Sequence, residues 1–410
     1  MIIRNTKMSY SKSRMMQVAF LSIIACFLLY RNALMLPSKE RLSSYSKSYP
    51  KSNLSSDIID YPNGHTNTFN CTPETLLYMC GMITGGCSSY PQLFDISDLV
   101  TNWSPNTATR PTQYFNSLCR FNLSDIIERQ YIDRFRAFEV PFIIYGIPAL
   151  EETGKVWTDT YLQKHLGEDQ FKGQISSNNH FMYYKKHKDE SEDSKDAGPT
   201  YTEAKWTYPE FLNLSHANEN PKASDIHYYF FLNLKMKYNI TTLEASPLDF
   251  IRTSLPFFNH KVSEEVEKYP NLFVHNVSQA KGIHCRFGMP GVVAEGHYDA
   301  GMNMISMIRG SKRYILSPPS ACDCQYLMPE GPSARHTAVD WGNIDTKMFP
   351  NAKKCQATEV IVSAGDVLYI PSFWFHHIVS LDYSIQCNLR SGINLDEKSE
   401  EYLSKCGFER

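Results

Sequence analysis

Gly296-His297-Tyr298-Asp299, taken with Trp374-Phe375-His376-His377 further along, is the pair of stretches from which the rest of this chain can be read. Side chains alternate between the faces of an extended strand, so His297 and Asp299 present an imidazole and a carboxylate on one side while Tyr298 points to the other. One more imidazole from a neighbouring strand completes the two-histidine, one-carboxylate set that leaves open positions on a non-haem Fe(II). His376 is the candidate. His376 and His377 face opposite ways in an extended chain, so only one of them can be a ligand.

His-x-Asp spacing is weak evidence alone, because the chain carries a second copy, His187-Lys188-Asp189. That copy lies in a charged run with no apolar face and reads as a solvated loop. The copy at 297 is flanked by Val292-Val293-Ala294 and by Met304-Ile305-Ser306-Met307-Ile308, so it can sit on a buried strand.

If residues 299 to 309 stay extended, the parity that turns Asp299 inward also turns Asn303, Ile305 and Met307 inward. Gly310-Ser311 then reads as a two-residue hairpin turn that pairs Arg309 with Lys312 and places Lys312 in the same interior. A lysine inside an apolar barrel costs several kcal/mol unless an anion joins it. The plain alternative is a rim lysine that reaches solvent. Downstream, Ala364-Gly365-Asp366 marks a turn and Val367-Leu368-Tyr369-Ile370-Pro371 a buried strand. Ser384, Gln386, Asn388 and Arg390 then share one strand face, a polar row suited to groups around a metal-bound ligand. Any half-exposed strand shows the same alternation.

These stretches in order, Gly296 to Asp299 with Asn303 and Lys312, Gly365 to Pro371, and Trp374 to His377 with Asn388, resemble the JmjC/cupin-type Fe(II)/2-oxoglutarate oxygenases. Within them the likeness is greatest to the asparaginyl hydroxylase branch that inhibits hypoxia-inducible factor. The resemblance covers about 134 to 393, is densest from 291 to 391, and implies a domain over residues 134–395. It implies a mainly β domain with flanking helices (α+β), a double-stranded β-helix of jelly-roll type. By position, the iron ligands implied are His297, Asp299 and His376. Lys312 is implied as the partner of the distal carboxylate of 2-oxoglutarate, Asn303 and Asn388 as neighbours of its metal-bound end, and Tyr229 as a further contact. Fe(II) is the implied cofactor, and O₂ and 2-oxoglutarate are the implied cosubstrates. One departure stands out: Ala294 occupies the place of a threonine that contacts the cosubstrate, removing a hydrogen bond worth about 0.5 to 1.5 kcal/mol.

The remaining chain sets the context. Its 410 residues carry a formal charge of -2 and no basic stripe beyond the N-terminal tail, so nucleic acid is not an expected partner. Arg4, Lys7, Lys12 and Arg14 precede an apolar run, and the first acidic residue is Glu40. Residues 1–14 therefore read as a cytosolic tail and 15–36 as one uncleaved signal-anchor transmembrane helix. Residues 37–133 read as a lumenal stem and cysteine-containing region, and 396–410 as a C-terminal tail. Asn-x-Ser/Thr acceptors at Asn53, Asn70, Asn102, Asn122, Asn213, Asn239 and Asn276 all lie beyond the apolar run. Eleven cysteines less Cys26 within the run leave an even number for an oxidising compartment. Disulfides suit them better than zinc, since no Cys-x-x-Cys spacing occurs.

The expectation is a single-pass type II membrane protein with its domain in the Golgi or endoplasmic reticulum. The expected substrate is a lumenal protein side chain. Two other classes remain open: a catalytically inactive lumenal binding protein on the same barrel, and a metal-dependent cupin enzyme that does not use 2-oxoglutarate. Elsewhere, strands are expected at Val140–Gly146 and His227–Leu232, and helices at Trp157–Leu166 and Trp206–Leu214.

Overall fold

The computed structural model describes residues 67–68, 90–183, 199–219, 229–236, 248–258, 272–328, 333–393, 401 and 404–407. Its early strands are β1 (Asn67–Thr68), β2 (Phe94–Asp95), β3 (Phe115–Asn116), β4 (Arg120–Asn122) and β5 (Phe142–Tyr145). They are followed by β6 (Phe171–Ser176), β7 (His180–Phe181), β8 (Thr202–Trp206) and β9 (Tyr229–Met236). The remaining strands are β10 (Ile283–Gly288), β11 (Val293–Tyr298), β12 (Asn303–Arg309), β13 (Ser311–Ser317), β14 (Gln356–Ser363), β15 (Val367–Ile370), β16 (Phe375–Ser380) and β17 (Ser384–Arg390).

β10 to β17 are dealt between two facing sheets. One has the order β4-β5-β15-β12-β17-β10-β9-β6-β8, the other β2-β14-β13-β16-β11-β7. Leaving aside the flanking strands, each sheet contributes four of the eight, which is the jelly-roll arrangement the sequence leads one to expect. Residues before 134 also contribute, since β4 and β2 close an edge of each sheet.

One turn differs from its expectation. β12 pairs with β15 and β17, whereas β13 pairs with β14 and β16, so Gly310-Ser311 is not a hairpin turn. It is the corner at which the chain leaves one sheet for the other. Gly310 has φ of 69°, and a Cβ there would lie 2.5 Å from the Tyr383 carbonyl oxygen, so both backbone and space demand glycine. Residues 299–302 likewise lie between strands, so β11 and β12 are not one extended run.

Flanking helices follow local rules. The helix Asp159–Leu166 starts at Thr158, whose hydroxyl accepts from the Tyr161 amide, and stops at Gly167 with φ of 56°. The helix Tyr208–Glu219 begins two residues later than expected because Trp206 still belongs to β8, opposite Phe171.

Outside the barrel, Arg313 and Glu359 form an ion pair at 2.7 Å with each side chain 1% exposed. Arg313 also donates to the Trp103 and Leu99 carbonyls, and Glu359 accepts from the Phe115 amide at 2.7 Å. This pair fastens residues 99–116 to the six-stranded sheet. Disulfides join Cys285–Cys387, Cys322–Cys406 and Cys324–Cys355, so Cys322, Cys324 and Cys355 are spent on covalent bonds rather than on zinc. Cys119 is disulfide-bonded as well.

Among the described residues no helix is long and apolar enough to cross a membrane; the expected anchor at 15–36 lies outside them.

Replacing Arg313 by Met leaves the Glu359 carboxylate buried without its cation, and should destabilise the fold by about 3 to 5 kcal/mol. Urea denaturation of the purified domain measures this. A loss below about 1 kcal/mol would show that the pair does not hold these segments together.

Candidate metal centre

An irregularity in β11 decides where the histidines go. Val293 and Ala294 pair with Val379 and Ile378 of β16, and His297 and Tyr298 pair with His376 and Phe375, so Glu295 and Gly296 together oppose His377. Regular alternation would put Ala294 and His297 on opposite faces. The extra residue, a β-bulge, reverses the parity and turns His297 inward with Ala294. Gly296 can occupy the bulge because a Cβ there would press within 2.9 Å of the Thr337 hydroxyl oxygen.

The bulge also fixes the ring. His297 Nδ1 lies 2.6 Å from the Glu295 carbonyl oxygen, and His376 Nδ1 lies 3.0 Å from that of Trp374. A carbonyl can only accept, so each Nδ1 carries the proton and each Nε2 lone pair is left for a ligand. Burial pushes His297 down to about 3, with His376 adding to the effect, and burial lowers His376 as well. Both rings are therefore neutral, as metal ligation requires.

Asp299 follows at the end of β11. The ligand atoms of His297, Asp299 and His376 all lie within 4.8 Å of one another, and His376 Nε2 is 3.8 Å from Asp299 Oδ2. Burial tends to raise the Asp299 carboxyl, but Arg390, His376, His297 and Arg286 outweigh it and hold it well below the usual carboxylate range. Asn303 Nδ2 donates to Oδ2 at 3.1 Å and Arg390 Nη1 donates to Oδ1. Two neutral imidazoles and an oriented carboxylate on one side of a pocket fit a divalent ion such as Fe(II).

Behind the metal ligands runs a directed chain. Arg286 donates to Asn388 Oδ1, Asn388 Nδ2 donates to Asn303 Oδ1 at 2.9 Å, and Asn303 continues to Asp299. A guanidinium has no acceptor, so it sets the orientation of both amides.

Lys312 faces inward despite the mistaken hairpin. It shares a face of β13 with Tyr314, whose hydroxyl reaches across to Gln386 Oε1 at 2.8 Å on the opposite sheet. Lys312 is 3% exposed and, among the described residues, has neither a hydrogen-bond acceptor nor a counter-ion.

His377, by contrast, occupies the outer face. Its ring stacks on Trp341 at 5.3 Å and its Nε2 is 3.9 Å from Glu295. Tyr229 opens β9, but its side chain lies outside the described residues, as does the His187 copy.

Sequence reading missed two neighbours. Arg286 was detectable, since Ile283-His284-Cys285-Arg286-Phe287 alternates apolar and polar residues and so presents His284 and Arg286 on one face. His336 was not, because a loop carries it to within 5.1 Å of the His297 ring. Its Nε2 accepts from the Tyr183 amide and its Nδ1 meets the Ser333 carbonyl, so it is satisfied without a metal.

Comparison with known proteins bears on the family. The cupin-like domain family matches residues 128–389. The human tRNA wybutosine-synthesizing protein 5 is 29% identical over 170 residues, 41% of this chain and 50% of that protein. A lysine-specific demethylase of Arabidopsis thaliana is 34% identical over 95 residues, 22% of this chain and 17% of that one. The Jumonji C domain-containing protein 5 of Drosophila melanogaster is 31% identical over 101 residues, 25% of each chain. The chain thus spans half or less of the length of these relatives.

The ligand assignment predicts a sharp contrast between adjacent histidines. His297→Ala and His376→Ala should each weaken Mn(II) or Co(II) binding at least 100-fold, whereas His377→Asn should stay within about tenfold of wild type. Equilibrium dialysis measures all three, and an equal effect at 376 and 377 would remove the basis for choosing between them.

Proposed function

The chain belongs to the cupin-like domain family, and on that premise we propose that it is an Fe(II)- and 2-oxoglutarate-dependent hydroxylase acting on a protein side chain in the secretory-pathway lumen. The observation that carries this reading is Lys312. A buried ammonium without an anion, in the same barrel as a two-histidine, one-carboxylate cluster, suits a small acid that chelates metal at one end and offers a carboxylate at the other.

Bound iron and 2-oxoglutarate would supply O₂ activation, the sum being substrate C–H plus O₂ plus 2-oxoglutarate giving C–OH, succinate and CO₂. The chain's own residues do the rest. His297, Asp299 and His376 would hold the ion from one side, leaving its other positions toward the pocket. Asn303 and Arg390 keep Asp299 in one orientation, and Asn303 and Asn388 stand beside the metal-bound end of the acid. Lys312 would receive the far carboxylate, fixing the keto acid lengthwise. Tyr314 and Gln386 use their polar atoms on each other and seal the interior behind it.

Support for the lumen comes from outside the site. The disulfides fit an oxidising compartment. Of the glycosylation acceptors among the described residues, Asn102 and Asn213 are exposed and Asn122 and Asn276 are half-buried, so none is sealed in the core. The basic N-terminal tail and apolar run support a type II anchor in the Golgi or endoplasmic reticulum. The relatives named for tRNA and lysine-demethylation chemistry are matched over half of their length or less, so their substrates are not carried over.

Anaerobic titration of the Fe(II)-loaded protein with 2-oxoglutarate should produce a metal-to-ligand charge-transfer band, absent in His297→Ala. Metal binding without that band favours a cupin enzyme that does not use 2-oxoglutarate, and no metal binding favours a lumenal scaffold. Mass spectrometry of secreted proteins should then reveal residues that lose one oxygen atom when the chain is removed from the cell.

A pH dependence follows from Lys312. Burial, then the Arg286 charge, push its ammonium down to about 7, while a bound carboxylate favours the protonated form and raises it. Binding then takes up a proton above pH 7, so affinity for 2-oxoglutarate should be greatest below about pH 7 and fall by up to about tenfold per unit above it. Calorimetry between pH 6 and 9 measures this, with Lys312→Arg expected to flatten the profile.

A further inference from the structure

We infer that Arg286 is a second cosubstrate-binding residue, whose guanidinium shares the distal carboxylate of the bound keto acid with Lys312. The inference rests on the oxygenase reading above and adds to it a residue on the opposite wall of the pocket.

Register places Arg286 there. On β10 it lies across from Gln386 of β17 and Asn233 of β9, and cross-strand partners share a face. Gln386 faces the interior, because it receives the Tyr314 hydroxyl from the other sheet. Tyr314 in turn is two residues from Lys312 on the same face of β13. Arg286 and Lys312 therefore look into one space from opposite sheets.

The donor count shows spare capacity. A guanidinium carries five N–H groups, and the hydrogen bond that Arg286 makes is from Nη1 to Asn388. Among the described residues no carboxylate forms an ion pair with it. Arg286 is half-buried. Among the described residues, two cations thus face a common space whose acidic neighbour, Asp299, is already paired with Arg390. Burial, then Arg390, push Arg286 down to about 10, and Arg286 in turn depresses Lys312. An anion between them relieves both.

Ala294, which faces the same interior from β11, has no donor to offer. The bond to Asn388 further connects the anion seat to Asp299 through Asn303, so one side chain touches both ends of the keto acid's surroundings. A simpler role is that Arg286 only orients Asn388, and the test must separate the two.

Arg286→Gln keeps a donor for Asn388 and removes the charge; Arg286→Lys restores a charge. The Mn(II)-loaded full chain is titrated anaerobically by calorimetry with 2-oxoglutarate and with 2-oxovalerate, which has the same carbon chain without the distal carboxylate. In Arg286→Gln, 2-oxoglutarate should bind at least tenfold more weakly, while 2-oxovalerate stays within twofold and the Mn(II) stoichiometry is unchanged. Arg286→Lys should recover most of the loss. Equal weakening of both acids assigns Arg286 to Asn388 alone and overturns the inference, as does unchanged 2-oxoglutarate binding. If 2-oxoglutarate binding is lost in Lys312→Ala but intact in Arg286→Gln, only the role of Arg286 falls. If wild-type protein binds neither acid, the oxygenase reading falls, and this inference falls with it.

Discussion

One inserted residue governs this molecule. Opposite His377 the chain of β11 spends two residues, Glu295 and Gly296, where regular pairing needs one. Without the bulge His297 would point out of the barrel, and His376 would face an incomplete site. The same backbone irregularity supplies the Glu295 carbonyl that holds the His297 proton on Nδ1. Position and tautomer of a candidate metal ligand thus have one cause. On the outer face the Glu295 side chain binds His180 and approaches His377, which stacks on Trp341. The bulge is pinned from both sides.

Charge is the second constraint. Arg286, Arg390 and Lys312 face an interior where Asp299 is the acidic neighbour, an imbalance that a purely structural barrel has no reason to retain. Arg390 is paired with Asp299 through Nη1 while its buried Nε has no partner among the described residues, and Arg286 donates to Asn388. Lys312 has no counter-ion among the described residues. The covalent framework supports this arrangement: Cys285 and Cys387 join β10 to β17 beside Arg286 and Asn388, on the opposite face of the same strands. The two side chains that begin the polar chain to Asp299 are therefore held in register.

A buried pair on the outside complements the pocket within. Arg313 neighbours Lys312 in sequence but faces the other way, where Glu359 neutralises it. Adjacent basic residues thus have opposite fates, one paired with a carboxylate and one turned to the barrel interior, because alternation along β13 sends them to different faces.

Much of this was legible in local sequence. Period-two alternation identified His297, Asn388 and Arg390 as members of polar inward rows, and placed His376 and His377 on opposite faces. Gly167 ended its helix as expected. The inward position of Lys312 was also right, but for a wrong reason: Gly310 turns a corner between sheets rather than a hairpin. Sequence alone thus determined which residue types alternate, where strands break and that a cupin-like barrel was encoded. Only the tertiary structure decided that Glu295-Gly296 bulges, that His336 arrives beside His297, and that Arg286 faces Lys312. Those facts depend on which distant strand lies opposite, and a cross-strand register is a property of two segments that neither one specifies by itself.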